Sequence, residues 1–99
     1  MHFRLRFTLE AKADLERLYS FTAADNPHAA KRALETIDKA WEILEEFPFS
    51  CRKAETPDPF LRELVTPFGS AGYVALFEIE DNDTVTILAV RHQREDDYH

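Results

Sequence analysis

The chain has 99 residues, enough for one domain spanning 1–99 and too few for two. Its 44% hydrophobic content and twelve aromatic side chains suffice for one core, and only two glycines and five prolines exclude a low-complexity chain. A net charge of −7 opposes a bulk electrostatic grip on nucleic acid, while one cysteine excludes an internal disulfide and the scattered histidines leave no zinc-ligand spacing.

Met1 to Phe7 alternates, with Phe3, Leu5 and Phe7 on one face and His2, Arg4 and Arg6 on the other, which predicts a half-buried strand. Arg4 and Arg6 also interrupt the only early apolar stretch, so no secretory leader is expected. No apolar run approaches the roughly 20 residues that span a bilayer, so the expectation is a cytoplasmic protein with no membrane partner.

Thr8 offers a hydroxyl as a helix N-cap, and Glu10 suits the positive end of the helix dipole. Ala11, Leu15, Leu18, Tyr19 and Thr22 follow at helical spacing, and the helix should stop near Ala24 or Asp25. Asn26-Pro27 restarts it, since Asn caps well and Pro fits the first helical position. Ala30, Ala33, Leu34, Ile37, Ala40, Trp41, Leu44 and Phe47 form the clearest apolar stripe in the chain. On this spacing Tyr19 and Trp41 both belong to the core. Pro48 ends the second helix because it cannot donate into the helical ladder. Two helices joined so tightly predict an antiparallel hairpin.

Phe49 to Pro59 reads as irregular, with Pro57 and Pro59 forbidding regular structure. Phe60 to Thr66 reads as a strand, and Pro67, Gly69, Ser70 and Gly72 mark a turn. Tyr73 to Glu80 begins apolar on both faces, which predicts a central strand. Asp81-Asn82-Asp83 predicts a hairpin turn, and the β-branched run Thr84 to Val90 the returning strand. The reading is a two-layer α+β domain of order β-α-α-β-β-β, a helix hairpin packed on a small antiparallel sheet. The first strand should join that sheet beside the last.

Chemistry concentrates after the last predicted strand, in Arg91, His92, Gln93 and Arg94. Arginine forks there can bind carboxylate or phosphate, and His92 can exchange a proton near neutral pH. The plain alternative is that polar residues simply end a strand. Arg62 should approach the same region as Arg91, with Arg52 and Lys53 nearby, making a local basic surface. Equally, Arg52, Lys53 and Arg62 can form weak surface ion pairs with Glu55, Asp58 and Glu63. A metal-independent ribonuclease needs a base, an acid and cations for the phosphate. His92 and Tyr98 are the candidates for proton transfer, with Arg52, Arg62, Arg91 and Arg94 as stabilisers, although Glu95, Asp96 and Asp97 would repel phosphate near Tyr98. Cys51 has no base near it in sequence and reads as a loop residue, and His28 as exposed. No cofactor and no metal are expected.

In chain order, Phe7-Thr8 before Ala11 and Asp14-Leu15, Asn26-Pro27 with Ala30 and Arg32-Ala33, Phe47-Pro48 with Arg52, Leu61-Arg62 with Leu64-Val65, and Ile87 to His92 with Arg94 resemble one family. The ordered set, covering nearly the whole chain, is similar to the ParE branch of the RelE/ParE superfamily, the toxins of bacterial type II toxin–antitoxin (plasmid stabilisation) pairs. The resemblance implies a helical hairpin on an antiparallel sheet and a cognate antitoxin whose C-terminal segment wraps the toxin. ParE-type members poison DNA gyrase, so growth arrest by binding a protein target is implied. RelE-type members cut mRNA on the ribosome through basic residues and a late tyrosine, places that only Arg52, Arg62, Arg91, Arg94 and Tyr98 could fill here. This chain departs from its relatives in its acidity and in Cys51, where many have glycine. A third reading is an inactive member that only binds antitoxin.

Overall fold

The computed structural model describes residues 2–54, 58, 60–68, 71–81 and 83–92. Strand β1 (Arg4–Phe7) alternates as its sequence predicts: Phe3 is buried, Leu5 and Phe7 pack on the core, and Arg4 and Arg6 are exposed. Helix α1 (Leu9–Asp25) starts at Thr8, whose Oγ1 accepts the Ala11 N–H at 3.0 Å. That hydroxyl also donates to the Leu88 carbonyl at 3.2 Å, so one cap both starts the helix and ties it to the sheet.

Ala11 and Leu18 are buried and Leu15 packs beside them, but Tyr19 is 45% exposed rather than in the core. At about 100° per residue Tyr19 lies well round the helix from the Ala11–Leu18 line, beyond the width that the sheet covers. The side chain of Thr22, assigned to the same stripe, lies outside the described residues.

Helix α2 (Pro27–Glu46) begins where Asn26 Oδ1 accepts from the backbone of His28 at 3.0 Å and Ala29 at 3.2 Å. Its buried face is Ala30, Ala33, Ile37, Ala40 and Leu44, and the small alanines let it lie close against its neighbours. Trp41 is partly buried against the core, edge-on to Phe7 at 5.2 Å between ring centroids. Leu34 and Phe47 stand at the margin instead, at 37% and 64% exposed. His28 is exposed, as its sequence position suggests.

Pro48, itself buried, opens a 3₁₀ turn (Pro48–Ser50), and a two-residue strand β2 (Arg52–Lys53) follows inside the stretch that reads as irregular. Strands β3 (Leu61–Phe68), β4 (Ala71–Glu80) and β5 (Thr84–His92) form an antiparallel meander. The sheet order is β1-β5-β4-β3-β2, so β4 is central as its two-sided apolarity predicts, and β1 adjoins β5. That last pairing is parallel, Arg4 to Phe7 against Thr84 to Ile87, which makes the sheet mixed rather than wholly antiparallel. Parallel neighbours need a long crossover, and here the intervening chain with its helix hairpin supplies it.

Three strands overrun their predicted bounds, β4 by starting at Ala71 rather than Tyr73. β3 continues through Pro67, which pairs with Gly72. A Cβ on Gly72 would sit 2.5 Å from the Thr66 carbonyl oxygen, so the close approach of β3 and β4 there requires glycine. β5 runs on to Arg91 and His92, which oppose Val74 and Tyr73. A bulge in β5, where Leu76 opposes Ala89 but Phe77 opposes Ile87, leaves Leu88 unmatched. Phe77, Leu44, Ile87, Val85 and Val90 lie fully buried between the layers.

Candidate functional site

β1 covers only the first half of β5's outer edge, and α1 covers the rest. The Thr8 N–H donates to the Ile87 carbonyl at 3.1 Å, and Asp14 Oδ2 accepts the Val90 N–H at 3.0 Å. The same carboxylate oxygen binds the Arg91 guanidinium, and Oδ1 lies 3.6 Å from Arg17. Arg91, the centre of the predicted basic cluster, thus sits inside β5 and is tied to Asp14, a residue with a side chain only 14% exposed.

The other predicted site residues are dispersed. Arg52 Nε donates to Glu63 Oε1 at 3.0 Å across the β2–β3 pair, the weak surface pairing that its neighbours allow. Arg62 lies over the Phe49 ring, 5.4 Å from its centroid, and donates to the Cys51 carbonyl at 2.8 Å. Its Nε is buried without a hydrogen-bond partner. Arg62 opposes Phe77, whereas Arg91 opposes Val74. The two arginines are therefore offset by three positions along the strand, about 10 Å, and by two strands across it. Their registers also assign them to opposite faces. His92 meets the Tyr73 ring edge-on at 5.5 Å between centroids. Arg94 and Tyr98 lie outside the described residues.

Cys51 is half-buried and unpaired, and burial raises its pKa against the opposing charge of Arg62. A thiol held protonated in this way is a poor nucleophile. Among the described residues no group of three or more His, Cys, Asp or Glu side chains could hold a metal ion, and no helix is long and apolar enough to cross a membrane.

What the sequence reading passed over is a groove between α2 and the edge of β3. Thr36, Lys39, Ala40 and Ile43 line one wall, and Leu64, Val65, Thr66 and Pro67 the other. Ile43 is 45% exposed, and Phe47, Phe49 and Phe60 are uncovered beyond it. The signal was available: Ile43 is a large apolar residue on the otherwise polar side of α2, four positions from Phe47.

Comparison with known proteins agrees with this architecture. A family model described as the ParE toxin of the type II toxin–antitoxin system parDE matches residues 5–97. A solved structure described as the chromosomal ParDE TA system from P. aeruginosa superposes with a TM-score of 0.74 at 21% identity. The match covers 92% of this chain and 96% of that one, and it shows the same fold. No curated protein matches significantly.

Proposed function

Because this chain belongs to the ParE toxin family, the toxins of type II toxin–antitoxin systems, we propose that it arrests growth by binding a protein target such as DNA gyrase and is silenced by a cognate antitoxin. The observation that carries this reading is the family match over residues 5–97, nearly the whole chain. The state of the arginines supports binding rather than phosphoryl chemistry. Arg52 and Arg91 already share their charge with Glu63 and Asp14, and Arg62 is held by the Cys51 carbonyl, so none of the three stands as a bare cation positioned for a transition-state phosphate. The uncovered apolar side chains around Ile43 and Phe47 support a surface that meets other proteins.

Two measurements test the reading. Purified toxin should inhibit gyrase supercoiling, and induction in cells should stop growth unless the neighbouring small gene is co-expressed. Absence of both gyrase inhibition and growth arrest would reject it. New mRNA cleavage ends after brief induction, read by primer extension, would replace it with the ribosome-dependent endonuclease of RelE type.

A further inference from the structure

The sheet ends at β1, and no described strand lies beyond it. Residues of a parallel pair alternate in the direction of their backbone groups. The Arg4 N–H reaches the Asp83 carbonyl at 2.7 Å and the Thr8 N–H the Ile87 carbonyl at 3.1 Å, so Arg4 and Arg6 turn theirs toward β5. Phe3, Leu5 and Phe7 therefore turn theirs outward, and the Phe3 N–H donates that way, to the Glu45 carbonyl of α2 at 2.7 Å. The Leu5 N–H and carbonyl and the Phe7 N–H stand on the outer edge, with no described group hydrogen-bonded to them. Beneath that edge lies a groove walled by Phe3, Leu5 and Phe7 on one side and Trp41 and Glu45 on the other. On the opposite face of the strand Arg4 and Arg6 are both exposed. Arg6 forms no ion pair among the described residues, and Arg4 meets only Asp83, at 3.7 Å.

We propose that the outer edge of β1 is where this toxin grips its cellular target, taking an extended acidic segment of that protein as an added strand. The proposal rests on the toxin reading and names the surface and the chemistry through which the target is held. Backbone bonds to Leu5 and Phe7 set the register of the added strand. Its side chains opposite Arg4 and Arg6 lie on the helix-free face, where carboxylates pair with the guanidinium forks. Its side chain opposite Leu5 lies over the groove, against Leu5 and the Trp41 ring that meets Phe7 edge-on, and is apolar. The recognised element is thus acid, apolar residue, acid in an extended strand. Charge complementarity selects it: two exposed arginines stand side by side on the edge of a chain whose net charge is −7.

The same arginines argue against a second copy of this chain as the occupant. An antiparallel β1–β1 pair that uses the Leu5 groups sets Leu5 opposite Phe3, Leu5 or Phe7 of the other copy. Those registers place Arg4 opposite Arg4, Arg4 opposite Arg6, or Arg6 opposite Arg6, and like charges directly opposite are destabilising. The edge thus rejects itself and admits a strand of opposite charge. A nucleic-acid backbone would meet the two arginines but leave the Leu5 and Phe7 backbone groups and the apolar groove unmatched. The acidic chain as a whole also repels it.

The test uses the intact toxin, scored by growth arrest at graded induction and by binding to the small neighbouring gene product that rescues growth. Arg6→Glu and the double variant Arg4→Glu/Arg6→Glu should raise the toxin level needed for arrest about tenfold or more, yet bind the rescuing partner as the wild type does. Arg4→Lys/Arg6→Lys keeps the charge and should lose no more than severalfold. Lys31→Glu, the same change of charge at an exposed position of α2, should arrest as the wild type does. Circular-dichroism melting reads folding, and if the double variant does not fold, Arg6→Glu alone decides. Wild-type potency in a folded Arg6→Glu variant would overturn the edge site while leaving the toxin reading intact. Absence of arrest by the wild type would overturn both. Loss of partner binding together with arrest in a folded variant would assign the edge to the rescuing partner. A DNA or RNA oligonucleotide retarded by the wild type but not by Arg6→Glu would assign it to nucleic acid. Either of those results overturns the proposal.

Discussion

Removing the Asp14 carboxylate should damage this fold more than its place on an otherwise polar helix surface suggests. Its Oδ2 accepts from the backbone of Val90, a residue 1% exposed, and also holds Arg91. In Asp14→Ala the Val90 N–H loses its partner in a site that water cannot easily enter, a cost of about 1–3 kcal/mol. Arg91, with a side chain 38% exposed, can turn to solvent, so its lost ion pair adds only about 0–1 kcal/mol. The total is about 1–4 kcal/mol, and each kcal/mol lowers the melting temperature of a domain this size by roughly 4–8 °C. Asp14→Asn keeps an acceptor for Val90 and should cost about 1 kcal/mol, and Arg91→Ala a similar amount, through the lost charge-assisted bond. Urea denaturation at neutral pH ranks the three variants. If Asp14→Ala costs no more than Arg91→Ala, the Val90 bond is not what makes Asp14 important, and the reasoning is wrong.

Three further perturbations follow from single contacts. Gly72→Ala places a methyl 2.5 Å from the Thr66 carbonyl oxygen, so β3 and β4 must part; the expected loss is about 1–3 kcal/mol by denaturant titration. Asn26→Ala removes the acceptor for His28 and Ala29 at the start of α2 and should cost about 1 kcal/mol. Burial, partly opposed by Arg62, holds the Cys51 pKa above the ordinary value of 9.0. Its labelling by a thiol reagent near pH 8 should therefore lag behind that of free cysteine. Because the unfolded thiol ionises first, this group's contribution is fully present below pH 9.0 and is lost as pH climbs through the raised value. Labelling as fast as free cysteine would contradict the burial.

The candidate site shows where reading a chain residue by residue stops. Arg91 and Arg94 stand within two positions of His92 in sequence and look like one basic cluster, and nothing local announces that Arg91 belongs to Asp14, 77 positions away. Arg62 and Arg91 both lie on strands, but register and pleat, not proximity in the chain, decide whether they meet. The end of β3 was hidden for the opposite reason. Pro67 beside Gly69 and Gly72 looks like turn chemistry, yet it sits within β3 because its missing N–H faces away from β4.

Local chemistry determined the elements: alternation at Phe3, Leu5 and Phe7, the caps at Thr8 and Asn26, and the α2 stripe from Ala30 to Leu44 all act within a few residues. Tertiary structure alone decided the parallel pairing of β1 with β5, the exposure of Tyr19 and Phe47 and the partner of Arg91. Each of those depends on which surface another element happens to cover, and contacts across tens of residues leave no mark on local periodicity.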